Sequence, residues 1–476
     1  MSDHTSEEQR LLSGGYRARF LFIMFWVCLF DFADRTVFNV TQDSIKAEFG
    51  LTDFEIGILG GAAFAALYSV VGVPIGRLAE RVSRVRIIAV CTALWSVSTV
   101  ISGTAGNYLA LALGRVGVGL GEAGFMGPVS SLVSDLFPSR KRASRMALII
   151  LGTPTGVFLG ANVGGWAAQA HDWRLAFILL GAPGLIVAAC VLLFLREPSR
   201  GLVDNLPKSP SPPPNFGAFL RHVAATPALR YVILAGGISG FGVTSISTFL
   251  APFLARSHDL PPGVAGSLFG TITAIALGTG FIVGSFGTDW LSNKDRRWSA
   301  WGACIGVLCA PFLYWAGLTS DNLTAASILF TLAGASLMSF YGPTIGMIQN
   351  LSHPRMRATA ASLFTMLYAL CGYFLGPPLI GFLSDVFAQQ SFALGDFAAM
   401  CPGGVAPDGA SADLVAACGA SLAGGLQRAL MVAVCAFFIA ATCFFLASRT
   451  IRRDIYLDEG APTATPGVQQ AGPKNV

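Results

Sequence analysis

The chain has 476 residues, 53% of them apolar and only 12% charged, where soluble domains carry about 25% charged residues. That balance excludes a water-soluble globular protein. The net charge of +5 is scattered over short junctions rather than gathered in a basic, aromatic-interleaved domain, which excludes a nucleic-acid partner. Apolar runs long enough to span a bilayer fall near 20–42, 54–76, 87–105, 108–133, 143–168, 175–195, 230–255, 263–288, 299–318, 324–349, 359–385 and 427–448, predicting an all-α membrane protein of twelve helices.

Residues 1–19 are polar, so no cleavable signal is expected and the first span directs insertion itself. That span places Asp31, Asp34, Arg35, Asn39 and Gln42 on one helical face. A charge at mid-bilayer costs roughly 2.5–3.5 kcal/mol on insertion scales, so this face must line a cavity rather than meet lipid. After the second span, Arg77, Glu80, Arg81 and Arg84 cluster in the Gly76–Arg86 junction. Glu80, beside the next helix N-terminus and an adjacent Arg, predicts a charge clasp at a cytoplasmic gate.

The fourth span puts Arg115, Gly119 and Glu122 on a second polar face. If both faces point inward, three carboxyls meet two guanidiniums, a formal sum of minus one when every carboxyl is ionised. One carboxyl can therefore hold a proton. Burial disfavours a carboxylate and a nearby Arg favours it, so a site that alternately dries and wets can bind and release that proton. Asp34 and Glu122 are expected to form the titrating pair, with Asp31, Arg35 and Arg115 completing a charge network that can also meet an anionic head group. The fifth span repeats Gly152, Gly156, Gly160 and Gly164, a smooth strip suited equally to a static seam or a rocking interface.

The Pro-rich stretch near the middle reads as a cytoplasmic linker, 198–215, between six-helix units at 1–197 and 216–476. Two matches support an internal duplication: Arg142-Ala143-Ser144 with Arg357-Ala358-Thr359, 215 residues apart, and Glu80 with Asp289, 209 apart. Asp289 accordingly joins the expected gate. Paired six-helix units around a central site suit alternating access. In the second unit Phe241, Phe249, Phe253, Phe340, Tyr341, Tyr368 and Tyr373 offer aromatic surface, expected as weak cavity lining beside lipid-facing positions.

Of 31 basic residues, 25 fall in the termini and even-numbered junctions, which predicts that both termini are cytoplasmic. Lys46, Arg174, Arg256 and Arg428 are left for the outward side. The outward segment 387–425 holds Cys401 and Cys418, and an oxidising compartment leaves a bridge between them open. His4, His171, His222, His258 and His353 lie in termini or loops without ligand spacing, so no metal, no cofactor and no intramembrane enzyme is expected. Gly-x4-Gly-Lys-Ser/Thr is absent, which leaves an ion gradient as the energy source. A channel fits Gly-spaced moving seams poorly.

The Gly76–Arg86 junction resembles the loop signature Gly-x-Leu-Ala-Asp-Arg-x-Gly-Arg-Arg of the major facilitator superfamily, with Glu80 for Asp, Ser83 for Gly and Val85 for a basic residue. Trp173-Arg174-Leu-Ala-Phe177 is similar to that superfamily's entry into its sixth helix. Phe32-Ala-Asp34-Arg35, the run from Arg115 to Gly124, Ser134-Asp135-Leu-Phe137-Pro138 and Gly152-Thr-Pro154-Thr-Gly156 resemble the spinster group. The resemblance implies a monomeric, proton-linked carrier of lysolipid-like amphiphiles in a plasma or bacterial inner membrane. It also implies functional positions at Asp34, Arg35 and Glu122. Sugars, organic anions or drugs are the alternative cargoes.

Overall fold

The computed structural model describes residues 10–203, 216–292, 294–352, 356–407 and 409–454, without the side chain of Asp289. The expected linker lies mostly outside the described residues. Eleven helices are long and apolar enough to cross a membrane: α2 Asp53–Ala79, α3 Arg84–Ser102, α4 Tyr108–Leu136, α5 Ser144–Ala170, α6 Trp173–Phe194, α7 Pro227–Ser257, α8 Pro262–Ser292, α9 Trp298–Leu318, α10 Leu323–Leu351, α11 Thr359–Ser391 and α12 Ala412–Asp454. The twelfth, α1 Gly14–Phe49, is 36 residues long, and its central charges alone set it apart in composition. The chain is a multi-pass membrane protein with twelve spanning helices.

Their ends follow local chemistry. Ser13 accepts from the Tyr16 N–H to start α1, and Gly50, at φ 64°, ends it in a left-handed turn that a side chain would strain. Two residues later a reciprocal Thr52–Glu55 capping box opens α2. Asn107 and Asp172 cap α4 and α6 by accepting one N–H bond each, from Ala110 and Arg174. Three helices contain a π-turn, at Ile58–Ala62 in α2, Val283–Gly287 in α8 and Leu370–Leu375 in α11.

The glycines resolve the role of the α5 strip. Gly152, Gly156 and Gly160 lie against the α1 backbone at Phe25, Leu29 and Ala33, where any Cβ would overlap it, so that strip is a fixed seam within the first six helices. The neighbouring edge of α5 meets α8: Gly165 packs on Pro262, and Gly266 and Gly270 pack on Ala161. Asn162 Oδ1 accepts from Ser267 Oγ at 2.8 Å and Gln169 Oε1 from the Gly263 N–H at 3.0 Å along the same line. A second seam joins α2 to α11 with Gly57, Gly61 and Gly381 each at backbone contact, against Pro377, Tyr373 and Asp53.

The duplication has a structural echo. Arg142 Nη2 donates to the carbonyl of Ser134 at 2.7 Å, and Arg357 Nε donates to that of Gln349 at 3.0 Å. Both arginines reach eight residues back to close the end of the preceding helix.

The segment expected as a long outward loop is mostly helical. α12 begins at Ala412 and α11 runs to Ser391, leaving Phe392–Ser411 as the connection. The early turns of α12 escaped the apolar search because Ala, Gly and Ser dominate them, although Cys418, Ser421 and Gly425 form a buried face. A disulfide joins Cys401 to Cys418, with Cα atoms 5.9 Å apart. Between the connection and α1, Gly403 and Gly404, at φ 67° and 83°, seat the turn against the backbone and side chain of Lys46.

Candidate functional site

The polar face of α1 and that of α4 do meet at the centre of the bundle, and Asp31, Asp34, Arg115 and Glu122 are all buried. Arg35 is the hub. Its Nη2 forms an ion pair with Glu122 and lies 3.6 Å from Asp31 Oδ1, while its Nη1 donates to the Tyr373 hydroxyl at 3.3 Å. Four rings surround the guanidinium, with centroids at 4.7 Å for Phe64, 5.2 Å for Phe32, 5.5 Å for Tyr68 and 5.8 Å for Tyr373. The negative faces of those rings hold a cation that bulk water does not reach freely.

Arg115 and Asp34 sit differently from the expectation of one merged cluster. Among the described residues, no carboxylate lies within ion-pair distance of Arg115. It stacks over Phe38 at 5.0 Å and Phe64 at 5.9 Å, and its Nε points 3.4 Å from the Leu59 carbonyl. Leu59 belongs to the α2 π-turn, which breaks the regular ladder and leaves a carbonyl free to accept. Asp34 accepts from the Thr99 hydroxyl of α3 on one oxygen, and its other oxygen has no donor. Orphaned polar atoms of both signs, Asp34 Oδ1 and Arg115 Nη1, thus remain buried in one chamber. Buried polar groups in folded proteins are nearly always paired, with protein groups or with ordered water.

Further along α1, the polar face leaves the chamber and fastens onto α7. Asn39 Nδ2 donates to the Ser247 carbonyl at 3.1 Å and Gln42 Nε2 to that of Thr248 at 2.5 Å. The Thr248 carbonyl is free because Pro252, four residues on, has no N–H to offer it. Beyond this level, charges join α1, α2, α7 and α11. Arg256 binds Asp43 at 2.6 Å and Asp53 at 2.9 Å, Lys46 binds Asp53 at 2.6 Å, and Ser384 donates to Asp53 at 2.7 Å. Asp385 accepts from the N–H groups of Asp53 and Phe54 at 3.0 and 2.9 Å. Three of the four basic residues left for this side are therefore neutralised, Arg174 by Glu48 at 2.6 Å.

The opposite end carries no such closure. Arg77, Glu80 and Arg81 are exposed and form no ion pair among the described residues, so the expected clasp is not made in this conformation, and the side chain of Asp289 is outside the described set. Arg84 instead turns inward, because Ser83 caps α3 and aims the next side chain into the bundle. It binds Asp135, Glu197 at 2.6 Å, Ser131 at 2.7 Å and the Pro198 carbonyl at 3.2 Å. This ties α3 and α4 to the chain leaving α6, all within the first six helices.

The expected cavity aromatics divide. Phe249, Phe253 and Phe340 are fully buried core residues, packed there because ring burial against neighbouring helices outweighs any cavity exposure. Phe241, Tyr341 and Tyr368 are more open, the last two with ring centroids 6.4 Å apart, yet none contacts Arg35. Of the expected aromatics Tyr373 joins the ring box around Arg35, whose other members, Phe32, Phe64 and Tyr68, come from the first six helices. Phe64 and Tyr68 stand four apart on α2, a spacing that places both on one face and that the sequence offered. Thr99 carried no signal beyond being a polar residue in an apolar run.

A twelve-helix bundle with a buried charge network at its centre is the architecture of a secondary transporter. The family model of the Major Facilitator Superfamily matches residues 24–377, and the chain belongs to that superfamily. Within it, the fold resembles the crystal structure of a bacterial homolog to the human lysosomal transporter Spinster in an inward-facing, unoccupied conformation, with a TM-score of 0.85, 30% identity, and coverage of 94% of this chain and 99% of that one. An MFS-type efflux pump of Mycolicibacterium smegmatis is 28% identical over 89% of this chain and 91% of its own length. A sphingosine-1-phosphate transporter of Xenopus tropicalis is 27% identical over 76% of this chain and 72% of its own.

Proposed function

We propose that the protein is a proton-coupled carrier of a lysolipid-like amphiphile, working by alternating access between two six-helix halves, 1–197 and 216–476, with both termini cytoplasmic and a single chain as the working unit. The observation that carries this reading is Arg35: a cation held between two carboxylates and four rings, buried midway through the bundle and tied to the second half through the Tyr373 hydroxyl, with the further polar ties between the halves lying toward the Asp53 side. An anionic head group suits the guanidinium and an acyl chain suits the rings. A proton on Asp34 would give its orphaned oxygen a hydrogen of its own, and a proton on Glu122 would release Arg35 to a competing anion. The likeness to a spinster homolog and to a sphingosine-1-phosphate transporter supports a lipid-like cargo. In this reading the Asp43–Asp53 end is the outward one.

The efflux-pump relative, which matches nearly the full length of both chains, favours a second cargo class, a drug-like amphiphile moved by the same machinery. Proteoliposomes loaded with a panel of lysolipids, organic anions and drugs under an imposed pH difference separate the two. Asp34→Asn and Glu122→Gln are expected to abolish proton-driven flux while the variants remain folded. Normal uphill flux in both would refute the coupling.

A further inference from the structure

Among the described residues, Tyr373 is the one side chain of α7–α12 that reaches Arg35 by hydrogen bond or ring contact. It stands in the α11 π-turn, and that turn packs directly on the π-turn of α2: the Tyr373 carbonyl occupies the space a Cβ on Gly61 would need. The Tyr373 ring meets Phe64 edge-on at 5.5 Å, and Phe64 in turn stacks on Tyr68 at 5.3 Å. The hydroxyl is therefore placed by the α2–α11 seam, and when the seam parts it leaves with α11.

Its bond to Arg35 is weak by comparison with the others on that guanidinium. Among the described residues a neutral hydroxyl at 3.3 Å is the acceptor on the Nη1 edge, whereas carboxylates hold the Nη2 edge. A charged oxygen makes a hydrogen bond roughly twice as strong as a neutral one, so a phosphate or carboxylate arriving at Arg35 takes that edge from the phenol. We infer that Tyr373 is a positioning residue for cargo: it keeps the Nη1 edge of Arg35 turned toward the second half, an anionic head group displaces it, and the displaced hydroxyl no longer fastens α11 to the first six helices. Head-group arrival is thereby linked to release of the α2–α11 seam. The inference rests on the reading of Arg35 as the head-group site.

The test measures the seam rather than flux. Spin labels at Gly106→Cys and Gln390→Cys, with Cys309 and Cys435 replaced by Ser, report the separation of the two halves at the Asp53 end in lipid nanodiscs. Lysophosphatidylglycerol is expected to raise the open-to-closed ratio of the unsubstituted protein, and monoacylglycerol, which lacks the charge, is expected to leave it alone. Tyr373→Phe keeps the ring and loses the hydroxyl. It should raise the ratio about three- to tenfold without lipid, as befits one long hydrogen bond of ordinary strength, and lipid should add little more. Tyr314→Phe, which removes a phenol buried against Phe330 and Phe437 inside the second half, should behave like the unsubstituted protein. Identical distance distributions for Tyr373→Phe and the unsubstituted protein, with and without lipid, would overturn the inference while leaving transport by Asp34 and Glu122 standing. Opening by Tyr373→Phe together with no response to lysophosphatidylglycerol would overturn the link to anionic cargo, and the fluxes of the proposed carrier would then identify which cargo class replaces it.

Discussion

The two ends of the bundle differ in how their charges are used. At the Asp53 end, Arg256, Lys46, Asp43, Asp53 and Asp385 join helices from both groups of six, and each cation has a carboxylate within 3 Å. At the Glu80 end no ion pair among the described residues crosses between the two groups of six: Arg452 pairs with Asp295 at 2.5 Å inside the second group, and the buried Arg84 is satisfied inside the first. In the alternating access proposed above, the charges at the fastened end name the bonds that must break. Ion pairs suit that task, since a pair excluded from water is strong while closed and its members are well solvated once apart.

The largest expected effect comes from breaking the fastened end. Arg256→Ala leaves Asp43 without its cation and Asp53 with Lys46 alone, and removing one partner of a buried pair typically costs about 3–5 kcal/mol. The same spin-label pair should then report the open arrangement as the main population; persistence of the closed distance would show that the glycine seams alone suffice. Next in size is the paired replacement of Cys401 and Cys418 by Ser. Closing a loop of about this length is worth roughly 3 kcal/mol in chain entropy, so the unfolding midpoint should fall by several degrees, with the Pro402–Gly404 turn losing its seat on Lys46.

Glu80→Gln sharpens the contrast. Glu80 has no partner in this arrangement, so the variant should unfold at the same temperature. If the clasp forms only when the Glu80 end closes, losing it should enrich the present arrangement, raising cysteine labelling at that end. Unaltered labelling would remove the clasp. The smallest effect belongs to Glu48, whose carboxyl is held below the usual glutamate range by hydrogen bonds from Arg174 and, secondarily, from Trp173. A depressed carboxyl stabilises the fold above its ordinary value near 4.3 and loses that contribution as pH falls through the lower folded value. Because the group is largely exposed, Glu48→Gln should cost at most about 0.5 kcal/mol at pH 7, a difference that shrinks as pH falls below the ordinary glutamate range.

Much of this was legible in the residues. Spans were readable because lipid forces long apolar runs, and most helix ends fall within three residues of the expected positions. The convergence of Asp31, Arg35 and Glu122 was readable because charges in such runs have nowhere else to go. What resisted reading depends on neighbours far away in sequence: Thr99 beside Asp34, Tyr373 beside Arg35, and the Thr248 carbonyl that Pro252 leaves for Gln42. The start of α12 resisted for a different reason, since small residues that pack well against another helix score poorly as lipid-facing ones. The aromatic residues of the second six helices misled, because a ring is equally at home in a core, in a cavity and against acyl chains.

The Cys401–Cys418 bond has a use beyond bracing the chain. Cytosolic thiols are kept reduced, so this crosslink can persist only where the segment is delivered to an oxidising compartment. Treating intact cells with an alkylating reagent, then reducing and alkylating again with a heavier one, would therefore work as a compass: the mass increment on these two cysteines reveals on which face of the membrane Phe392–Ser411 comes to rest, and with it the sidedness of every other loop.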